Sequence, residues 1–515
     1  MLKKILTVLV LLTMIVPAAL AEIPGVYNPP PVNEGQYPVS DGSAKVSWWM
    51  AISDRAINFM DTYDKNPAYA QMQKDTGVDI EFIHPTVGMV KEQFNLLCAS
   101  GDLPDIIQLP QTGYYSGGLP QMYADGLIID LTPYLEANAP QYLSVINASE
   151  IAIKQIYEGE NDEVFGFYRL SLADPAPYYR MNLRGDWLEE FGMTEPSTIA
   201  EYEAYFDAIL QRKEGVTPLY TSLNLDILMG AFDILNGFFI KDGKVAHYAN
   251  APEYKDYLAL LNAWYQKGYI SSDFASLTPT EVQAMFDNGT LGMYPESIDS
   301  TYVRTKDLPI VATNAPYLRK DADSVLGNEL AGVPVDVGVA YVSVVTTACK
   351  DVDLACKLLN YMYTYEGALL GNWGVEGLTY EMGEDGFPHF NAYYTANPDG
   401  MTTSNAAYAL RCHLGSKYTY SDLICGLTDQ GQVANRQKWP LEQSFLRLPP
   451  IKLTTDETAR RTEILTEVNT YADEMRAKFV VGAEPLENWD SYVSTVESMG
   501  LPEAIEITQA AYDRY

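Results

Sequence analysis

The sequence predicts an α/β fold whose sheet is at least partly parallel. Between residues 45 and 109, segments with strand character alternate with segments of helical character, and the links between them are short. Strands that alternate with helices in this way pair in parallel and are joined by right-handed crossovers. The chain has 515 residues, which is enough for about two to four domains of ~150 residues each.

The alternating elements follow one another from the first predicted strand. Residues 45–51 (KVSWWMA) predict a buried strand, and residues 66–76 predict a helix that ends at Gly77. In VDIEFI, at 78–83, apolar side chains alternate with acidic ones, which is the two-residue period of a strand. KEQFNLLCAS then predicts a helix that ends at Gly101, and LPDIIQL predicts a third strand.

This topology predicts where a ligand binds. In open α/β sheets, ligands bind beyond the carboxyl ends of the strands. The segments that follow the three predicted strands are Ser53–Asp54, His84–Thr86 and Gln108–Tyr115. We therefore expect binding residues in these segments.

Helices and strands continue through the middle of the chain. Thr198 and Glu201 have the spacing of a capping box, which marks the start of a helix. The apolar segments at 291–297 (LGMYPES) and 337–346 (VGVAYVSVVT) predict buried strands, and residues 351–363 predict a further helix.

The net charge limits the possible partners. It is −34 at pH 7, with 68 Asp and Glu against 34 Lys and Arg. Such a field repels nucleic acid and anionic membranes, so we expect no nucleic-acid partner. It also favours a neutral ligand, because an anionic ligand would need a local cluster of Arg or Lys.

The N-terminus predicts export. Lys3 and Lys4 precede the apolar run ILTVLVLLTMIVPAAL, and Ala19 and Ala21 are the small residues that signal peptidase accepts. We expect residues 1–21 to be a signal peptide and residues 22–43, rich in Pro and Gly, to be a flexible tether. Since no cysteine follows the apolar run, we expect a periplasmic or extracellular protein without a lipid anchor there.

Several kinds of chemistry lack their motifs. The chain contains no C-x-x-C, no H-x-x-x-H, no P-loop and no G-x-S-x-G, which argues against zinc, nucleotide and serine-hydrolase sites. Its acidic loops do not match a calcium-binding loop, so we expect no cofactor and no metal. Cys412 and Cys425 could form a disulfide, or they could be buried thiols.

The stretch GNWGVEGLTYEMGEDGFP at 371–388 is rich in glycine, aromatic and acidic residues. It lacks the lysine of a phosphate-binding loop. Its second half predicts a hairpin that turns at Asp385-Gly386, and KDGK at 241–244 predicts another. In the first half, Trp373 either contacts a ligand or packs at the hinge between the lobes.

Loop aromatics are the remaining candidates for a binding site. The chain has 38 tyrosines and 7 tryptophans, and many of them lie beside Gly or Pro. Flat aromatic faces stack on sugar rings, while acidic, amide and guanidinium groups bind sugar hydroxyls. The pattern is typical of a carbohydrate cleft, although tyrosines in secreted proteins also serve for packing.

Six segments, in this order, resemble family 1 extracellular solute-binding proteins, and the closest resemblance is to the branch of about 500 residues that binds oligosaccharides. They are KNPAYAQMQKDTGVDIEFIHP, KEQFNLLCASGDLPDII, YADGLIIDLTPYLE, NLRGDWLEEFGMTEPSTIAEYEAYFDAI, WYQKGYISSDF and NWGVEGLTYEMGEDG. The resemblance implies a two-lobe, hinge-connected fold of the type II periplasmic-binding-protein kind. It assigns 44–160 plus 341–370 to the N-terminal lobe and 161–340 plus 371–515 to the C-terminal lobe.

The resemblance also implies a function. Such a protein would close on an oligosaccharide between its lobes and deliver it to the permease subunits of an ABC importer, as a monomer and without enzymatic activity. Alginate-binding relatives carry a calcium loop in the second lobe, but the corresponding segment at 211–221 has one carboxylate, Glu214, so calcium is not expected here.

The candidate ligand-binding residues combine stacking aromatics with groups that bind hydroxyls. They are Trp49, Asp54, Tyr114, Tyr115, Tyr168, Arg169, Glu296, Trp373 and Glu376. Two alternatives stay open. One is a binder of peptides or another polar solute on the same fold, and the other is a secreted glycosidase or polysaccharide lyase.

Overall fold

The computed structural model describes residues 28–111, 114–159, 161–172, 179–306, 308–324, 340–384, 386–420, 438, 446–449 and 451–515. The predicted signal peptide, the first part of the predicted tether and Cys425 lie outside these residues. No helix in the described ranges is both long and apolar enough to cross a membrane.

Thirteen strands and nineteen α-helices organise the described residues. The strands are β1 Ala44–Trp49, β2 Val78–Ile83, β3 Ile106–Gln111, β4 Phe167–Tyr168, β5 Tyr179–Arg184, β6 Thr217–Leu219, β7 Phe238–Lys241, β8 Lys244–His247, β9 Leu291–Ser297, β10 Ala312–Asn314, β11 Ala340–Val345, β12 Tyr380–Met382 and β13 Pro388–Phe390. The helices are α1 Pro67–Thr76, α2 Val90–Ser100, α3 Gly118–Ala124, α4 Thr132–Asn138, α5 Pro140–Asn147, α6 Glu150–Ile156, α7 Gly185–Phe191, α8 Ile199–Arg212, α9 Asp226–Met229, α10 Pro252–Gln266, α11 Pro279–Asp287, α12 Ile298–Thr305, α13 Val352–Asn360, α14 Tyr365–Asn372, α15 Ala392–Thr395, α16 Thr403–Leu410, α17 Thr455–Val481, α18 Trp489–Ser498 and α19 Leu501–Asp513.

The first sheet has the order β2-β1-β3-β11-β4. β1 pairs in parallel with β2 and β3, while β11 is antiparallel to β3 and β4. The predicted β-α-β-α-β unit at the start of the body is therefore confirmed. In β2, Val78 and Ile80 are buried while Asp79 and Glu81 are exposed, as the two-residue period requires.

The second sheet has the order β10-β5-β9-β6. β9 is parallel to β6 and antiparallel to β5, and β10 is antiparallel to β5. Helices α8, α10 and α17 cover it with aromatic side chains such as Tyr202, Trp264 and Phe479, which belong to one buried cluster. The rings of Tyr202 and Trp264 stack with their centroids 6.4 Å apart.

The two sheets have separate hydrophobic cores, and this gives two lobes. The first core includes Trp48 of β1 and Val344 of β11. The second includes Met181 of β5 and Met293 of β9. The structure therefore has the two-lobe α/β architecture that the sequence analysis expects.

Residues 371–420 pack into the first core, although we expected them in the second lobe. Tyr380, Tyr394 and Tyr420 all belong to the first buried cluster. The side chain of Asn372 donates hydrogen bonds to the carbonyls of Ala368 and Tyr418, at 2.7 and 2.9 Å. The chain therefore does not leave the first lobe near residue 370, as we expected, but stays in it as far as residue 420.

The segment before β1 also contacts the first lobe. The Tyr37 hydroxyl donates to the carbonyl of Lys357 at 2.8 Å, and the amide of Val39 donates to the carbonyl of Thr76 at 2.9 Å. These contacts do not fit the flexible tether that we expected for 22–43. The segment has no periodic pattern because its contacts are irregular, and an aperiodic segment of this composition resembles a flexible one in sequence.

Several local predictions are confirmed. Thr198 and Glu201 form the predicted capping box of α8. Asp242 and Gly243 both have positive φ, 51° and 75°, in the turn of the β7–β8 hairpin, as a two-residue turn of the primed type requires. β12 and β13 form the other predicted hairpin. Cys412 is a free, buried thiol, so the disulfide that we considered is not formed.

Candidate ligand-binding cleft

One edge of the first sheet lies where the chain passes between the lobes. The carboxyl ends of β1, β3 and β4 meet there with the amino end of β11, because β11 is antiparallel to its neighbours. Leu170 belongs to the first core and Met181 to the second, so the chain leaves the first lobe directly after β4. Leu318 belongs to the second core and Val342 of β11 to the first, so the chain is back in the first lobe at β11.

The second sheet presents a matching edge. The carboxyl ends of β6, β9 and β10 lie there with the amino end of β5, since Tyr179 pairs with Ser297. The crossing that leaves β4 enters the second lobe at β5, and the return crossing leaves it after β10. Both edges therefore adjoin the same two crossings, which is where ligands of open α/β sheets bind.

Cationic and aromatic side chains gather at the first-lobe edge. The guanidinium of Arg55, in the loop after β1, lies 5.4 Å from the ring centre of Tyr408. The ring of Tyr408 is 4.4 Å from that of His413. The guanidinium of Arg169 lies 5.7 Å from the ring centre of Tyr341, and its Nε donates to Thr419 at 3.2 Å.

These groups are close enough to affect the pKa of Tyr341. Burial raises the pKa of Tyr341, the nearby Tyr408 raises it further, and Arg169 and Arg55 lower it. Tyr341 and Tyr408 are partly buried, so part of each ring is accessible to solvent. We call Arg55, Arg169, Tyr341, Tyr408 and His413 the first-lobe cluster.

Arg411 lies beneath this cluster. It is 3% exposed, its Nη1 donates to the carbonyl of Asn372, and its Nη2 lies 3.3 Å from His413 Nδ1. The side chain of Asn66 holds the segment in place by donating to the carbonyl of Arg411 at 3.1 Å. Burial and then Arg411 hold the pKa of His413 well below its usual value, so this imidazole is neutral at pH 7.

The backbone at Tyr341 is strained. Its φ is +61°, a left-handed conformation that costs a residue with a Cβ about 1–2 kcal/mol. Its carbonyl accepts a hydrogen bond from the amide of Arg169 at 3.1 Å. Such strain persists only where the surrounding structure imposes it, and it is frequent in ligand-binding segments.

The second-lobe edge carries its own charged groups. The buried guanidinium of Arg180 lies 3.6 Å from the ring centre of Tyr317. Glu296 is partly buried, and its two carboxylate oxygens accept from Gln283 at 2.9 Å and from the amide of Ser297 at 2.7 Å. These bonds hold the carboxylate of Glu296 at the end of β9.

A cavity of about 630 Å³ lies between the first lobe and helix α17 of the second. Glu158 and Tyr168 line it, and the Tyr168 hydroxyl donates to Glu158 Oε1 at 2.5 Å. Burial raises the pKa of Glu158 to about 7. The remaining lining residues are Tyr115, Ser116, Gly117, Gly118, Leu119, Pro120, Lys154, Gln155, Gly159, Ile451, Lys452, Leu453, Thr458 and Thr462.

The nine sequence-predicted residues divide by exposure. Six of them are at least partly exposed: Asp54, Tyr114, Tyr115, Arg169, Glu296 and Glu376. Three are buried: Trp49, Tyr168 and Trp373. Of the nine, Arg169 belongs to the first-lobe cluster, and Asp54 is the neighbour of Arg55 in sequence.

The buried three occupy the first core. Trp49 is 4% exposed, and its ring centre lies 6.0 Å from that of Phe94. Trp373 is 1% exposed and lies against Phe387 and Tyr420 at 5.3 and 5.1 Å. In this conformation neither tryptophan has a free face for a sugar.

Two tyrosines after β3 also have partners in the first lobe. The Tyr115 hydroxyl donates to Asp125 at 2.5 Å, and Lys91 lies 4.2 Å from the ring centre of Tyr114. Both rings are partly exposed, and Tyr115 lines the cavity described above. These two stay candidates for contact with a ligand.

Most of the first-lobe cluster was not predicted from the sequence. Arg55 could have been found, because it directly follows Ser53–Asp54, the segment singled out after the first strand. Tyr341 lies inside the predicted strand at 337–346, and its left-handed φ has no signature in the residue type. Tyr408 and His413 come from the segment assigned to the wrong lobe.

In the described part of the chain, no group of three or more His, Cys, Asp or Glu could hold a metal ion.

Comparison with known proteins shows the family. The model of the bacterial extracellular solute-binding protein family matches residues 60–369, more than half of the chain. Lipoprotein LipO of Bacillus subtilis (strain 168) is 24% identical over 343 residues, and the match covers 62% of this chain and 65% of LipO. The chain thus spans just under two thirds of that relative.

A second relative and a solved structure match over greater lengths. The fructooligosaccharide ABC transporter substrate-binding protein FusA of Streptococcus pneumoniae serotype 4 (strain ATCC BAA-334 / TIGR4) is 20% identical over 487 residues, 86% of each chain. The crystal structure of the alginate-binding protein AlgQ2 without calcium ion superimposes with a TM-score of 0.72 at 18% identity, covering 91% of this chain and 98% of that chain. At this identity the structural likeness shows the fold.

Proposed function

Because this chain belongs to the bacterial extracellular solute-binding protein family, we propose that it captures an oligosaccharide between its two lobes and delivers it to the permease of an ABC importer. FusA is described as the substrate-binding protein of a fructooligosaccharide ABC transporter, and AlgQ2 as an alginate-binding protein. These descriptions support a saccharide ligand rather than a peptide.

The first-lobe cluster carries this proposal. It places two partly exposed tyrosine rings, Tyr341 and Tyr408, beside two guanidinium groups at the sheet edge next to the crossings. Aromatic faces stack on sugar rings, and guanidinium and imidazole groups bind their hydroxyls. Glu296, Tyr114 and Tyr115 are further candidates, whereas Trp49, Tyr168 and Trp373 act through packing.

The mechanism is closure of the lobes. An oligosaccharide that contacts both sheet edges binds the closed form better than the open form, and it shifts the population by this difference in affinity. The permease would then recognise the closed form. We expect no turnover, so chromatography after long incubation should recover the bound oligosaccharide unchanged.

Export fits this function. The family is extracellular by description, and we propose that residues 1–21 direct export. The relative LipO is a lipoprotein, whereas Glu22 follows the predicted cleavage site here. We propose that the protein is retained at the cell by other means and acts as a monomer.

A glycan screen on the mature protein tests the function. Thermal unfolding is followed with oligosaccharides and, separately, with peptides of similar length. We expect an oligosaccharide to raise the midpoint of unfolding, since a ligand at about 100 times its Kd adds about 2.7 kcal/mol to the free energy of unfolding. Stabilisation by peptides alone would refute the proposal.

A further inference from the structure

Three arginines near the cleft lack carboxylate partners in a chain where carboxylates are abundant. Asp and Glu outnumber Lys and Arg by 68 to 34, and other arginines, such as Arg304 and Arg514, form ion pairs with them. Arg55, Arg169 and Arg411 contact hydroxyls, carbonyls, an imidazole and aromatic rings instead. Within the described residues none of these three forms an ion pair.

The positive charges of this region all act on the imidazole of His413. Besides burial, Arg411, Lys417, Arg169 and Arg55 all lower the pKa of His413. Four cations are therefore close enough to oppose the protonation of one imidazole. Their mutual repulsion is unfavourable, and an anion placed among them would relieve it.

The nearest acidic neighbour in sequence does not neutralise this charge. Asp54 is adjacent to Arg55, but its carboxylate accepts from the Ser53 hydroxyl at 3.2 Å. Arg55 Nη1 donates instead to the Ser404 hydroxyl at 2.6 Å. Arg55 is an exposed residue and Arg169 a partly exposed one, so both can reach a ligand.

We propose that the ligand is an anionic oligosaccharide whose carboxylate or sulfate group binds between Arg55 and Arg169, with Tyr341 and Tyr408 beside its sugar ring. This deepens the proposed function and rests on it. It also reverses the expectation of a neutral ligand, because the local cluster of Arg that an anion requires is present despite a net charge of −34. The planar guanidinium presents paired donors that match such oxyanions.

Arg411 and Lys417 have a different part in this site. Arg411 is 3% and Lys417 1% exposed, so both act on the anion through their field. Because the surroundings are partly desolvated, their charges are screened less than surface charges. Arg55 and Arg169 would supply the direct hydrogen bonds.

Calorimetric titration with matched glycans tests this inference. The acidic probes are tetrasaccharides of galacturonic acid, of mannuronic acid and of sulfated chondroitin. The neutral probes are the methyl-esterified galacturonic tetrasaccharide, maltotetraose and cellotetraose. We expect an acidic probe to bind about 10-fold or more tightly than any neutral one, because hydrogen bonds to charged groups are the stronger kind. Binding of a galacturonic or mannuronic tetrasaccharide identifies carboxylate as sufficient, and binding of the sulfated chondroitin probe alone, which carries carboxylates as well, identifies sulfate as required.

Variants locate the site. Arg55→Gln and Arg169→Gln should each weaken binding of that acidic probe about 10-fold or more. The difference in affinity between wild type and each variant should shrink when NaCl is raised from about 20 mM to about 200 mM, because salt screens the charges. Arg212→Gln is the control, because Arg212 is exposed on α8 and contacts the ring of Phe191 rather than a carboxylate.

The outcomes distinguish failure of this inference from failure of the proposed function. If neutral probes bind as tightly as acidic ones, or if Arg55→Gln and Arg169→Gln bind the acidic probe like wild type, the inference is overturned while the proposed function stands. If no probe of either charge binds, the proposed function itself fails, and the inference fails with it.

Discussion

The carboxyl group of Glu158 makes the stability of this protein depend on pH. It lines the cavity between the lobes and accepts a hydrogen bond from Tyr168. Burial raises its pKa from 4.5 to about 7, although Tyr168 and Lys452 lower it. The perturbation is Glu158→Gln, which keeps the shape of the side chain and removes its titration.

The sign of the pH dependence follows from the direction of the pKa shift of Glu158. A carboxyl group whose pKa is higher in the folded state stabilises the fold below its unfolded pKa of 4.5, and this contribution is lost as the pH rises through about 7. The rise in pKa corresponds to at most about 3 kcal/mol. Since the side chain is only partly buried, we expect about 1–2 kcal/mol.

The assay is urea unfolding of wild type and Glu158→Gln between pH 5 and pH 8. We expect the free energy of unfolding of the variant to gain about 1–2 kcal/mol relative to wild type as the pH rises across this window. Glu136→Gln, at an exposed position on α4, should show no such trend. A difference between wild type and Glu158→Gln that is constant with pH would refute the reasoning.

Three further predictions concern the fold. Trp373→Ala should lower the free energy of unfolding by about 3–5 kcal/mol, because Trp373 is 1% exposed. Trp373→Phe should cost less, and equal losses in chemical denaturation would contradict the packing role. Gly367→Ala should lower the free energy of unfolding by about 2 kcal/mol or more, since a Cβ would lie 1.9 Å from the Tyr361 carbonyl oxygen. Gly415→Ala should cost less, because the nearest atom to its Cβ would lie 3.3 Å away. The reverse order of melting temperatures would argue against the close approach at Gly367. Thr198→Ala should cost about 1 kcal/mol by removing the cap of α8, and an unchanged denaturation midpoint would show that the cap contributes nothing.

The elements of the fold were predictable where their signal is local. The alternation in VDIEFI and the capping box at Thr198 depend on residues a few positions apart, and both have the predicted structure. Gly374 and Gly377 have φ of +90° and +77°, a left-handed conformation that glycine adopts without strain.

The candidate site was harder to predict because its residues are distant in sequence. Arg55, Arg169, Tyr341 and Tyr408 come from four separate segments. The glycine-rich surroundings of Trp373 made it a candidate, but burial depends on what packs against it, and Phe387 and Tyr420 lie against its ring. A residue type beside glycine cannot reveal such long-range neighbours.

The sequence by itself determined the class of the protein: hydrophobic periodicity gave the α/β elements, six segments in register gave the family, and composition gave the negative net charge. Only the tertiary structure decided which lobe holds residues 371–420, which aromatics are buried, and where unpaired arginines meet. Periodicity and composition are local or summed properties, whereas the pKa of His413 depends on Arg55, Arg169 and Arg411, which come from separate segments and are brought near it by folding alone.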